Sequence, residues 1–347
     1  MSPTPVPTLL PVNQFDHFYR GGDRIGALRH GPGGPMRPEE WLGSTTARWG
    51  QSPAGLTVLP DGRVLRDAVE ADPSAWLGDA YVERFGPNVE VLVKLLDLGQ
   101  RLPVHYHPNR SFAKTHLGLA HGKTEAWYVL DAPEGGQVGV GFKEAMNLAQ
   151  VGDWVRNRDS EALLGALQTR TVRTGDAILV PSGMPHTVQD GVFVLELQEP
   201  TDLSILLEWQ GLAVDGFVDG HLDLGFDLAL QALETTAVSP SDLDRLVLPR
   251  EEIARAGLTA AMPAQADPYF RLHRVDTGAG PVSIDAGFGI LLVTDGEGTL
   301  LSAAGTMPLR KGDAVLVPFA AGDCVVDGSI VAMLARPPAI DAPADAR

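Results

Sequence analysis

The sequence holds a single cysteine, Cys324, among its 347 residues. One thiol excludes an intrachain disulfide, and it excludes a structural zinc site built on thiolate clusters. Basic residues are also scarce: 27 Lys and Arg stand against 44 Asp and Glu, a formal net charge of −17. Nucleic acid and anionic membranes are met by positive fields that neutralise phosphates, so neither is an expected partner. An anionic substrate has to be met by local basic residues. No apolar run approaches the roughly 18 residues that cross a bilayer. Met1-Ser2-Pro3-Thr4-Pro5-Val6-Pro7 has neither the basic start nor the apolar stretch of a signal peptide. Together with the lone thiol, this makes a cytoplasmic enzyme the expectation.

The composition that remains, 44% hydrophobic and 20% charged, is that of a soluble globule. The length suits one large domain or two moderate ones. Chemistry concentrates between Pro103 and Thr187, which holds His-Tyr-His-Pro-Asn at 105–109, Gly-Lys-Thr-Glu at 122–125 and Pro-Ser-Gly-Met-Pro-His at 181–186. His105, His107, Glu125 and His186 form a set of three imidazoles and one carboxylate that suits a divalent transition metal. On a strand, residues i and i+2 share a face, so His105 and His107 converge. Glu125 enters from the next element. His186 follows Ile178-Leu179-Val180-Pro181, an apolar strand ending in a Pro/Gly turn, and enters from a third. Flanked by strands, the set becomes a metal site inside a small β-barrel.

At these residues the chain resembles the type I phosphomannose isomerases, a family of zinc-dependent cupins. The matching pieces run from Leu95-Leu96-Asp97 into Leu102-Pro103-Val104-His105-Tyr106-His107-Pro108-Asn109. They continue with Gly122-Lys123-Thr124-Glu125-Ala126-Trp127-Tyr128 and with Gly175-Asp176 to Pro181-Ser182-Gly183-Met184-Pro185-His186. A further piece, Glu196-Leu197-Gln198 to Thr201-Asp202, looks like the family's strand leading to its catalytic arginine. Weaker matches extend from Arg20-Gly21-Gly22 and Glu40-Trp41 to the end of the second half. The resemblance implies a mainly β fold, a duplicated double-stranded β-helix (cupin) with a helical connector. It also implies zinc as the cofactor, with another divalent transition metal as the alternative, and a sugar or sugar phosphate as the ligand. Two positions depart from the family pattern: His105 stands where Gln is common, and Leu206 stands at the arginine position.

Taken in order, the first forty residues are rich in Pro and Gly and read as a coil. Arg20 and Arg48 read as solvated surface residues. Val89 to Leu96 is an apolar run suited to a strand buried on both faces. Arg110-Ser111-Phe112-Ala113-Lys114-Thr115-His116 reads as a polar, basic loop, which serves equally as solvated surface or as a means of steering an anionic ligand through Arg110 and Lys114. His116 and His121 stay outside the metal set. Met146 to Leu167 has helical composition. Gly211 to Leu258 turns helical, with Ser239-Pro240-Ser241-Asp242 as a cap, and His221 reads as a packing or capping residue.

A second β unit begins at Pro268 and repeats part of the first. Val172-Arg173-Thr174-Gly175-Asp176-Ala177-Ile178-Leu179-Val180-Pro181 recurs nearly residue for residue as Leu309-Arg310-Lys311-Gly312-Asp313-Ala314-Val315-Leu316-Val317-Pro318. The ligand positions do not recur, since His186 aligns near Asp323 and nothing between Ile284 and Leu292 resembles His-x-His. The expected organisation is a metal-binding unit over 1–212, a connector over 213–262 and a degenerate unit over 263–340. Residues after Pro337 read as a frayed tail.

An aldose–ketose isomerase moves a proton between adjacent carbons and needs a base beside a group that holds the developing oxyanion. By the resemblance, Lys123 is that base, two residues from a ligand glutamate, and a divalent ion polarises the oxygens. The same three-His, one-Glu set also suits a cupin oxidoreductase, with an apolar pocket for an aromatic substrate, or a sugar-binding cupin without turnover. Without the arginine at 206, activity on mannose 6-phosphate is expected to be weak or absent, with Arg110 and Lys114 as the available substitutes and a related sugar or sugar phosphate as the better substrate.

Overall fold

Strand Leu92–Asp97 shows how this chain layers, because every one of its residues is buried. Val93 and Leu95 pack on one side with Leu195, Leu197 and Leu179, and also with Leu272, Ile290, Leu316 and Met333 of the second half. Leu96 packs on the other side with Trp127, Val129, Ile178 and Val194. Alternation along a strand sends successive side chains to opposite faces, so a doubly covered strand must be apolar throughout. Its two charged residues are exceptions: Asp97 ends the strand and caps a helix, and Lys94 has a functional reason given below.

The computed structural model describes residues 4–342. The expected tail therefore lies outside the described residues from Pro343 onward. A seven-stranded antiparallel sheet runs Val247–Leu248, Ala177–Val180, Glu125–Asp131, Phe193–Gln198, Leu92–Asp97, Glu39–Leu42, Gln14–Phe15. Facing it, a five-stranded sheet runs Ile205–Leu206, His105–Tyr106, His186–Val188, Gln137–Phe142, Leu167–Thr171. These two sheets enclose the Trp127–Val129–Ile178 core and form the first barrel. A third sheet of eight strands makes the second unit, built chiefly on Gly289–Ser302 and Cys324–Arg336. It also takes in Thr8–Leu9, which pairs with Ala314–Val317, and Gly257–Ala260, which pairs with Arg271–Asp276. The chain thus crosses between the two units more often than the expected boundaries at 212 and 262 imply.

The Gly-Asp repeat is a shared turn. Arg173 N donates to Asp176 Oδ2 at 2.9 Å, and Arg310 N donates to Asp313 Oδ2 at 2.9 Å. Gly175 and Gly312 adopt φ of 93° and 91°, a region that side chains other than glycine's enter at a cost. The surroundings differ, because a Cβ on Gly312 would lie 1.8 Å from Leu28 O, whereas one on Gly175 first meets Arg250 Cβ at 3.0 Å. Gly312→Ala is therefore expected to lower the thermal midpoint clearly more than Gly175→Ala. Equal shifts in parallel melts would contradict the difference in packing.

Two segments differ from the sequence reading. Residues 23–29 form a helix, Asp23–Arg29, rather than coil. Its first turn is capped from a distant strand: Gly22 N and Arg24 N donate to Asp97 Oδ2 at 2.9 and 2.8 Å. The segment read as a basic loop is the helix Arg110–Leu117. Asn109 accepts from Phe112 N at 2.9 Å as its N-cap, and Gly118 closes it in the left-handed conformation. Helices Leu148–Asn157 and Ser160–Ala166 fill the expected helical excursion. Ser239 and Asp242 form a reciprocal capping box at helix Pro240–Arg245.

Candidate metal centre

Two neighbouring strands and one strand of the facing sheet bring the four candidate ligands together. His105 pairs directly with His186 on one side and with Leu206 on the other. Glu125 opens strand Glu125–Asp131, between Val180 and Gln198. His107 lies just beyond strand His105–Tyr106, while Tyr106 between the two histidines turns into the helical core. The alternation expected of His-x-His is realised with one residue already outside the strand.

Each imidazole is anchored through Nδ1 by a backbone carbonyl: His105 to Pro103 O at 2.9 Å, His107 to Leu203 O at 2.6 Å, His186 to Met184 O at 2.8 Å. A carbonyl only accepts, so each Nδ1 carries the proton and each Nε2 presents a lone pair inward. Those lone pairs face one another, with His105 Nε2 3.0 Å from His186 Nε2. The three imidazoles offer ligand atoms all within 4.8 Å of one another, and all three are buried. His107 Nε2 lies 2.9 Å from Glu125 Oε2, and His186 Nε2 lies 3.2 Å from Glu125 Oε1. Glu125 Oε2 has no hydrogen-bond partner despite these approaches. Converging imidazole lone pairs beside a buried carboxylate oxygen that makes no hydrogen bond fit a bound divalent cation.

The local charges agree. Burial pushes the His105 imidazole well below the usual histidine range, and burial with Lys123 holds His107 down to about 3. Both are thereby neutral and available as ligands. Burial opposes ionisation of Glu125, but the positive charge of Lys123 outweighs it and keeps the carboxyl well below its ordinary value. Lys123 Nζ sits 3.0 Å from Glu125 Oε2 and 3.1 Å from His107 Nε2.

A cavity of about 710 Å³ opens over this cluster and is lined by His105, Lys123, Glu125 and Leu206. Sequence reasoning missed a second charged group on its wall. Lys94 lies 3.6 Å from Glu39 and 3.6 Å from Glu196, and Asp202 is 3.9 Å away. Burial works against the Lys94 ammonium, but these carboxylates outweigh it and keep it charged. Burial and then Glu125 raise the Glu196 carboxyl to about 7, partly offset by Lys123 and Lys94. The available signal was a lone lysine in an otherwise apolar strand.

Arg110 and Lys114 do not line this cavity. Arg110 turns away to pair with Glu199 and lies over the Tyr269 ring, while Lys114 is exposed on its helix. Arg48, read from sequence as a surface residue, lines the cavity instead. His221 accepts from Gly225 N at 3.2 Å and packs on Phe226, which is the local capping role expected of it.

Residues 38–143 match the phosphomannose isomerase type I catalytic domain. This match and the curated relatives support the type I phosphomannose isomerase family. It is 26% identical over 250 residues to mannose-6-phosphate isomerase ManA of Bacillus subtilis (strain 168), covering 70% of this chain and 73% of that one. It is 26% identical over 299 residues to mannose-6-phosphate isomerase of Streptococcus mutans, covering 80% and 83%. The crystal structure of mannose 6-phosphate isomerase from Bacillus subtilis superposes with a TM-score of 0.74 at 23% identity, over 96% of this chain and all of that one. The duplicated cupin expected from sequence is the fold of this phosphomannose isomerase structure. No helix among the described residues is long and apolar enough to cross a membrane.

Proposed function

We propose that the protein is a metal-dependent aldose–ketose isomerase of the mannose-6-phosphate isomerase type, acting on a hexose phosphate or related sugar. His105, His107, Glu125 and His186 hold the ion, zinc by kinship with relatives and with a zinc-bound mannose 6-phosphate isomerase structure of the same fold. The observation that carries this reading is Lys123 Nζ, 3.0 Å from the ligand carboxylate at the wall of the cavity. A bound divalent ion supplies Lewis-acid polarisation of the sugar oxygens. As the free amine, Lys123 would take the proton from the carbon beside the carbonyl and return it to the former carbonyl carbon while the hydroxyl proton shifts between the two oxygens, which interconverts aldose and ketose with no change in overall oxidation state. The charged lining, with Lys94, Glu196, Glu39 and Asp202, suits a polyhydroxylated ligand and disfavours the apolar substrate of a cupin oxygenase. Conversion of mannose 6-phosphate and related sugars in a coupled assay tests the reading, with activity lost on chelation and restored by zinc. Absence of turnover on any hexose or pentose, free or phosphorylated, would leave a sugar-binding cupin.

Recognition of an anionic end falls to Arg48. Leu206 places an apolar side chain beside His105, and carboxylates outnumber cations around the cavity. Lys94 and Lys123 are engaged by carboxylates. Arg48 makes no salt bridge among the described residues. It donates to Asp16 O at 3.3 Å, stacks over Phe15 and leaves its buried Nε without a partner. A charge-assisted bond of about 1.5–3 kcal/mol corresponds to roughly ten- to a hundredfold in affinity. Arg48→Gln is therefore expected to raise KM for mannose 6-phosphate by about that factor, with little change for unphosphorylated mannose. An equal loss on both sugars would assign Arg48 a role in loop folding instead. The substitution at 206 keeps the expectation that mannose 6-phosphate is not the best substrate, which the same screen measures.

A further inference from the structure

The two β units correspond strand for strand. Gln198 pairs with Leu92 and Glu196 with Lys94; Arg336 pairs with Arg271 and Leu334 with His273. Glu125 pairs with Val180, and Gly289 with Val317. His186 pairs with His105, and Cys324 with Ile284. In the second unit the ligand positions His105, Glu125 and His186 therefore read Ile284, Gly289 and Cys324, one residue beyond the Asp323 expected for His186. That set offers no metal site. What stands there instead is positive charge.

Arg271, His273 and Arg336 lie on the strand face that continues into the interior core of this unit, with Val275, Ala332 and Leu334. The alternate residues Leu272, Met333 and Ala335 face the other way, into the core between the units. Arg271 and Arg336 are direct cross-strand partners, an arrangement of like charges that is unfavourable when nothing lies between them. Neither forms a salt bridge among the described residues. Arg271 Nε donates to Pro337 O at 3.1 Å and Arg336 Nη2 to Asp285 O at 2.5 Å, bonds to neutral carbonyls rather than to carboxylates.

Arg336 is only 9% exposed, yet its Nε has no partner, and neither has the buried Nδ1 of His273. Burial, then Arg271, lowers the basicity of Arg336 to about 10, and burial with both arginines holds His273 down to about 4. Asp267 and Asp341 favour the Arg271 charge and Asp285 that of Arg336, none of them at ion-pair distance. Gly287 leaves room for the guanidinium, since a Cβ there would lie 3.1 Å from Arg336 Nη1. Solvent reaches Arg271 and His273, which are half-buried.

We propose that this end of the second unit is an oxyanion site, in which Arg271, His273 and Arg336 bind a phosphate group, free or carried by a small metabolite. Two guanidinium forks match the geometry of phosphate oxygens, and a neutral His273 donates from its unpartnered nitrogen. The site is separate from the catalytic cavity and does not rest on the proposed isomerase activity.

Inorganic phosphate titrated into the full-length protein by calorimetry tests it, with chloride at matched ionic strength as the control. The wild type is expected to bind phosphate, and Arg271→Gln to bind it roughly tenfold or more weakly. Arg48→Gln, which alters the first unit's cavity, should leave this binding in place. Arg336→Gln adds a second reading if it folds; Arg271→Gln, at a half-buried position, carries the test if it does not. A phosphate-ester probe such as glycerol phosphate that competes with phosphate in the wild type would identify a metabolite as the source, and one that does not would identify the free ion. No phosphate binding by the wild type, or binding that Arg48→Gln removes and Arg271→Gln spares, would overturn the proposal.

Discussion

Glu125→Gln is expected to yield protein that folds but no longer retains its metal through dialysis. Glu125 is the only anion in the proposed ligand set, and replacing it with a neutral amide removes the strongest electrostatic attraction to a dication. Changes one shell further out commonly cost ten- to a hundredfold in metal affinity, so loss of a direct anionic ligand should exceed about a hundredfold. The three carbonyl anchors at Pro103, Leu203 and Met184 remain and hold the imidazoles in place. The circular dichroism spectrum should therefore be unchanged while elemental analysis finds little metal. Full metal content in the dialysed variant would show that the three histidines suffice, or that the ion sits elsewhere.

The parts of this centre that were legible from sequence share a local cause. His105 and His107 are two residues apart, and Lys123 and Glu125 are two residues apart, so short-range geometry alone fixes how each pair is presented. The Gly-Asp turn was legible for the same reason, because its glycine and aspartate act within four residues. The capping box at Ser239 and Asp242 is equally local. What escaped depends on contacts far apart in the chain. Helix Asp23–Arg29 starts on a carboxylate from Asp97, and Arg48 reaches the cavity on a loop whose position is set by tertiary contacts, including Trp49 N with Asp202 Oδ2 at 3.0 Å.

Two further features carry a local signal in the sequence. Asn109 ahead of Arg110-Ser111-Phe112 is a sound N-cap, and Gly118 a sound C-terminal stop, yet the polar composition between them suggested a loop. That helix explains why Arg110 and Lys114 fail to reach the cavity. It directs Arg110 to Glu199, whose other oxygen accepts from Thr124 N at 3.0 Å, directly between Lys123 and Glu125. Arg110 thus acts on the backbone that presents the site rather than on a ligand. Lys94 is the second case, since a lysine buried within a strand that is apolar on both faces needs carboxylate partners, and these turn out to be Glu39 and Glu196.

Lys123→Met should leave the metal in place and remove most of the isomerase activity. General acid–base groups typically contribute about 10²–10⁴ in rate, so kcat is expected to fall by that range while KM changes little. The lysine stands 3.0 Å from Glu125 Oε2, and removing its charge leaves the carboxylate fully available to the ion, so metal affinity should hold or rise. This separates the variant from Glu125→Gln, in which metal and activity are lost together. Lys123→Arg sharpens the test: a guanidinium keeps the positive charge beside Glu125 but does not give up its proton in a protein, so a base is lost while an ion pair survives. If Lys123 served only to pair with Glu125, the arginine variant would remain active. The competing base on the same cavity wall is Glu196, whose carboxyl is raised to about 7 by burial and by Glu125 and which has one buried oxygen that makes no hydrogen bond. Near-normal kcat in metal-loaded Lys123→Met, together with its loss in Glu196→Gln, would move proton transfer to that carboxylate. Retention of activity by Glu196→Gln and loss in both Lys123 variants is the outcome the geometry around Glu125 favours, because Lys123 touches two of the proposed ligands at once.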